Sequence, residues 1–247
     1  MQANWLREAR RRKGWTQSEA ATRLGVSQTY LSLVENGRRA LSKPLARQVQ
    51  RDFDVPAIEL PVESTPASRN DPQAVANALA ALGYPGFTHL RRGRRVNPAQ
   101  LLLTALRMPD LEPRLAEALP WVVWQHPTLN WQWLLAQAKL HDLQNRLGFV
   151  VALARQVAER HGQSDTAAVL AATEGQLERS RLVREDTLCR ESMTQAERRW
   201  LRQRRSAAAR HWNLLTGLVP EHLSYASRSP RLHFATIPSR SRAQARR

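Results

Sequence analysis

Residues 16–36 constrain this chain more than any other stretch, because they read as two short helices joined by a turn that few residues tolerate. Thr16 can accept an orphan N–H of a following helix, and Glu19, three residues on, can reach back to the cap. Ser27 repeats the start signal just before Gln28. Between them Gly25 can take the positive φ that a sharp interhelical turn needs. Ala21 is small where two crossing helices would otherwise collide, and Ala20, Leu24, Val26, Leu31 and Val34 are spaced to face inward from both helices. The expected unit is a helix, a three-residue turn and a helix, with Gln28, Thr29, Tyr30 and Ser32 left on the outside of the second.

Prolines at 56, 61 and 66 then stop any long helix, since each fixes φ and restricts the residue before it. The chain is therefore expected to divide into residues 1–60, a proline-rich linker at 61–71, a helical accessory or dimerisation domain at 72–217 and a disordered basic tail at 218–247. Past the linker the start signals are Asp71-Pro72, Asn97-Pro98, Asn130 and the capping box Thr194–Glu197. They predict helices from 72 to a stop at Gly83, from 98, over 112–124, from 131, over about 165–190, and from 195 to near Gly217. The helix after Asn130 reads as one long element. Leu140, Leu143, Leu147, Val150, Val151, Ala154, Val157 and Ala158 form its apolar stripe, and Gly148 is a point where it could loosen. Asp142, Asn145 and Arg146 fall off the stripe and are expected to be solvated or to make polar contacts between helices. No alternating strand pattern stands out, so the fold class is all-α.

Charge narrows the function. The chain has 38 basic and 21 acidic side chains, a formal net charge of +17. Residues 1–60 carry eleven basic and six acidic groups; residues 198–247 carry twelve arginines and a single acid, Glu221. Two basic poles around a near-neutral centre point to an acidic polymer as partner. No run of eighteen apolar residues predicts a transmembrane helix. The opening residues lead straight into the basic run 10–13 without a signal peptide, and a cytoplasmic location is expected. Cys189 is the only cysteine, which excludes an internal disulfide, and the seven histidines lack metal-ligand spacing. There is no phosphate-binding glycine loop, no His-Glu-x-x-His and no Cys-x-x-Cys. Neither an enzyme, a cofactor nor a metal is expected; Cys189 reads as lying on a helix among charged residues, without a nucleophile's signature.

The residues Leu6-Arg7, Gly14-Trp15-Thr16-Gln17, Ala20-Ala21, Leu24-Gly25-Val26-Ser27, Tyr30-Leu31-Ser32 and Glu35-Asn36-Gly37-Arg38-Arg39 together resemble the phage-repressor (Cro-like, xenobiotic-response-element) helix-turn-helix family over about residues 4–60. Ala20 departs from it, since a leucine usually stands beside the small residue there; Trp15 could supply the missing volume. The resemblance implies a sequence-specific, double-stranded DNA-binding regulator, a dimeric repressor. Its second motif helix would enter the major groove, with Gln28 pairing to adenine and Thr29 and Ser32 as further base readers. Gln17, Arg10, Tyr30, Asn36, Arg38, Arg39 and Lys43 would contact phosphates, with Glu35 orienting Arg10 and with Tyr30 open between packing and phosphate contact. Residues 83–147 are similar to accessory domains of regulators encoded beside nucleotidyltransferase toxins, which implies an antitoxin-like operon repressor or an adaptor that grips a partner protein. The tryptophans at 121, 124, 131 and 133 are expected to be core. The stripe from Leu140 to Ala158 packs either inside one chain or against a second copy. The arginines from 198 to 210 either solvate a helix or touch nucleic acid.

Overall fold

Every cap singled out in the sequence starts a helix in the computed structural model, which describes residues 4–39, 41–53, 56–60, 62, 71–90 and 95–226. The first part holds α1 (Asn4–Arg12), α2 (Gln17–Arg23), α3 (Gln28–Glu35) and α4 (Lys43–Asp52), followed by a 3-10 turn at Ala57–Glu59. Thr16 and Glu19 form the reciprocal capping box of α2, and Ser27 Oγ accepts the Tyr30 N–H at the start of α3. Gly25 turns the chain between them at φ +64°. Leu6, Ala9, Ala20, Ala21, Leu24, Leu31, Val34, Leu45, Val49, Phe53 and Leu60 form one buried cluster, with Val26 and Trp15 packed against it. Trp15 packs against this cluster and meets Phe53 edge to face at 5.0 Å.

The second part holds α5 (Pro72–Leu82), α6 (Pro98–Leu106), α7 (Pro113–Gln125), α8 (Trp131–Leu140), α9 (Gln144–Arg160) and α10 (Ser164–Glu178). It continues with β1 (Asp186–Thr187), α11 (Gln195–Arg204), α12 (Ala207–His211) and β2 (Leu214–Leu215). α9 is the axle, packed chiefly between α7 and α10 and buried from Gln144 to Ala154. The fold is all-α; among the described residues the strands are a single two-residue parallel pairing, Asp186 with Leu214 and Thr187 with Leu215. No helix of the described residues is long and apolar enough to cross a membrane. The four tryptophans lean on the core as expected: Trp121 is buried and Trp124, Trp131 and Trp133 are half-buried.

Four expectations are corrected, and two that were left open are decided. The long helix after Asn130 breaks into α8 and α9, because Asp142 takes a left-handed φ of +56° at the junction; Leu140 leaves the stripe and is 70% exposed. The break is not at Gly148, which sits inside α9 under the Trp212 ring. The stripe itself, Leu143 to Ala158, is buried within one chain, so it does not face a second copy. Of the two readings of Asn145 and Arg146, polar contact with other segments holds: Asn145 exchanges two hydrogen bonds of 2.8 Å with the Leu182 backbone, and Arg146 pairs with Asp186 at 2.7 Å. The expected helix over 165–190 ends at Glu178, before the extended chain of β1, and the one expected from 195 to near 217 closes at Arg204 and is followed by the short α12 and then β2.

Two further differences concern the C-terminal third. Cys189 lies off any helix, fully buried at φ +52°, and burial pushes its thiol up to about 12. The expected start of the tail at 218 is too early, since 3-10 turns at Pro220–His222 and Ser224–Ala226 pack Leu218, Leu223 and Ala226 into the core. Residues 227–247, most of the expected linker at 61–71 and the arginines at 91–94 lie outside the described residues. The two parts of the chain are joined by Asn97. Its Oδ1 caps α6 through the Ala99 N–H, and its Nδ2 donates to the carbonyls of Ile58 at 3.1 Å and Leu60 at 2.6 Å.

Candidate nucleic-acid interface

A buried carboxylate organises the outer surface of α3. Glu35 ends that helix with its side chain wholly buried, a costly position unless every oxygen is paired. Arg10 meets it from α1 through a two-pronged bond, Nε to Oε1 at 2.7 Å and Nη2 to Oε2 at 3.1 Å. The same guanidinium donates to the Trp15 carbonyl at 2.9 Å. Gln17 donates from the start of α2 to Oε2 at 3.1 Å, and Arg7 approaches that oxygen to 3.6 Å. One carboxylate therefore ties together α1, α2 and α3. The bonds to Glu35 raise the Arg10 guanidinium above its already high ordinary value, so the guanidinium stays charged.

From this anchor two chains of polar contacts run outward. Gln17, held at its amide nitrogen, accepts from Gln28 Nε2 at 3.4 Å through its own Oε1. Gln28 is exposed at the first position of α3 and keeps its carbonyl oxygen and a second N–H for an outside partner. An adenine edge asks for that combination, one donor and one acceptor side by side. The second chain runs from Arg7 Nη2 to Asn36 Oδ1, and from Asn36 Nδ2 to Ser32 Oγ at 3.4 Å.

The remaining residues complete one surface. Thr29 is exposed one position after Gln28. Asn36, Arg38 and Arg39 are exposed on the turn after α3, where Gly37 takes φ +70°. The Arg39 guanidinium lies 5.0 Å above the half-buried Tyr30 ring, so Tyr30 both packs and holds a cation over the outer face. Lys43 opens α4, and its side chain is outside the described part of the structure. Arg10 is an expected contact that the geometry turns inward: Nε and both terminal nitrogens bond within the chain, and 13% of its side chain is exposed. It acts as a strut. Arg7 was not singled out from sequence as a site residue, yet it links Glu35 to Asn36. Its signal was present, three positions before Arg10 and so on the same side of α1.

Chemically this surface offers an amide pair, two hydroxyls and two arginines around an exposed helix N-terminus, the layout that reads base edges and holds phosphates. Residues 6–60 match the family model described as helix-turn-helix. Comparison with curated proteins and with solved structures gave no match to the chain.

Proposed function

We propose, from the premise that residues 6–60 are a DNA-binding helix-turn-helix unit of the Cro-like family, that this chain is a sequence-specific transcriptional regulator acting as a dimeric repressor of its own operon. Gln28, Thr29 and Ser32 read bases, while Gln17, Tyr30 with Arg39, Asn36, Arg38 and Lys43 face phosphates. The observation that carries this reading is the relay from buried Glu35 through Gln17 to Gln28, which fixes an exposed amide at the head of α3. Preorganising one amide lowers the ordering cost of each base contact. Gln28→Ala is expected to weaken operator binding by about 1–3 kcal/mol and random duplex far less, measured by titration of both DNAs at one salt concentration. Equal losses on the two would remove Gln28 from the readers.

The dimer reading needs a surface other than the buried stripe of α9. α8 and α10 leave an open groove of about 590 Å³ lined by Leu135, Lys139, Ala172, Gly175, Gln176 and Arg179. Leu140 on α8 and Val169 on α10 are exposed as well. A protein of this kind reads two half-sites about one helical turn apart, so a second copy is the partner this groove is expected to take. A Cβ added at Gly175 meets no atom within 4 Å, and arginine favours a helix over glycine, so Gly175→Arg leaves the monomer intact. Sedimentation should then show a dimer for the parent chain and a monomer for Gly175→Arg, with weaker operator binding. A parent chain that sediments as a monomer both free and on DNA would end the dimer reading.

A further inference from the structure

The outward face of α11 has no place in the interface built around α3, and its chemistry is that of a second nucleic-acid contact. Leu201 buries the inner side of α11, while Ala196, Arg199, Trp200, Gln203 and Arg204 point to solvent. Trp200 is 53% exposed, and no other Phe, Trp or Tyr among the described side chains stands on the open surface. The Arg204 guanidinium lies 4.8 Å over its ring, which extends the indole into a longer flat platform. Basic groups predominate around it. The nearest acids are already engaged: Glu185 pairs with Arg202 and Arg205, and Glu197 pairs with Arg190 and closes the cap at Thr194. Arg199 makes no ion pair among the described residues, and Arg210 stands exposed on α12.

An exposed indole backed by the Arg204 guanidinium, with the unpaired Arg199 beside it on α11, has what an unpaired strand needs: a stacking surface for a base and cations for the phosphates next to it. A duplex cannot use the ring, because its bases are stacked on one another. A neutral apolar partner would not need the arginines. We infer that the Trp200–Arg204 platform, with Arg199, binds single-stranded DNA. DNA is the polymer that α3 brings to this same chain, so a strand beside the operator meets α11 at a high effective concentration. That choice of polymer rests on the reading of residues 6–60 as a duplex-DNA binder.

The test uses the full-length chain, a fluorescent twenty-nucleotide oligothymidine and the operator duplex, followed by anisotropy. Trp200→Ala is expected to weaken oligothymidine binding about 5- to 150-fold, the loss of one stacked base, and to leave the operator duplex unchanged. Trp200→Phe should restore most of it. Changing both Arg199 and Arg204 to alanine should flatten the salt slope on the oligonucleotide by roughly 1.4, at about 0.7 per lost phosphate contact. Gln28→Ala should do the reverse, harming the operator and sparing the single strand, so that a failure of either site shows on its own. The proposal is overturned if oligothymidine does not bind, if Trp200→Ala binds it as the parent does, or if Trp200→Ala harms the duplex equally. Tighter, Trp200-dependent binding of oligouridine overturns the assignment to DNA.

Discussion

Glu35→Ala should unfold the N-terminal helices at much lower urea than the parent chain requires, with a loss of about 3–5 kcal/mol. The reason is not the carboxylate's own contribution but what its removal strands. Arg10 would keep a largely buried guanidinium with two N–H groups unpaired, and Gln17 and Arg7 would lose the acceptor that holds them. Circular dichroism of the full chain should show an early transition that the parent lacks. The double change Arg10→Met with Glu35→Leu separates stability from function. Replacing a buried ion pair by apolar side chains of similar volume is often neutral, so most of the stability should return. Operator affinity should not, because Gln17 no longer has the oxygen that orients it toward Gln28. Recovery of both would show that the relay plays no part in recognition.

Gly148→Ala should destabilise the second part of the chain by about 1–3 kcal/mol or more, although alanine is ordinarily the better helix residue. A Cβ at position 148 would lie 2.4 Å from ring atoms of Trp212, which is itself fully buried and has nowhere to move. Trp212→Leu alone leaves a void where the indole was and should also cost several kcal/mol. If the close approach of ring and backbone is the cause, the two losses are not additive: in the Trp212→Leu background Gly148→Ala should become nearly harmless. Thermal unfolding of the four chains gives the coupling directly, and strict additivity would refute the packing account.

These two sites differ in how far they could be read beforehand. Glu35 and Arg10 were expected to pair because the resemblance to the helix-turn-helix family implies it, and the bond lengths bear the pairing out. Gly148 was expected to loosen a helix, and it instead lets Trp212, sixty-four positions later, press against α9. Nothing near Gly148 in sequence announces the tryptophan.

The sequence by itself determined the helix starts, the tight turn at Gly25 and the exposed face of α3. Each depends on groups a few residues apart: a hydroxyl or amide within reach of the next N–H groups, a missing Cβ, an apolar repeat of one helical turn. The tertiary structure alone decided what happens when a distant group competes with local preference. The chain bends at Asp142, and Arg146 in the helix that follows turns inward to Asp186 and the Leu106 carbonyl, each forty positions away, which satisfy its buried guanidinium. It likewise decided that the arginines after 198 are not alike. Arg202 and Arg205 are taken up by Glu185, while Arg199 and Arg204 remain on the surface beside Trp200, since only folding brings that one acid to one side of α11. Ion pairs and close packing between remote segments depend on three-dimensional distance, which no local pattern encodes.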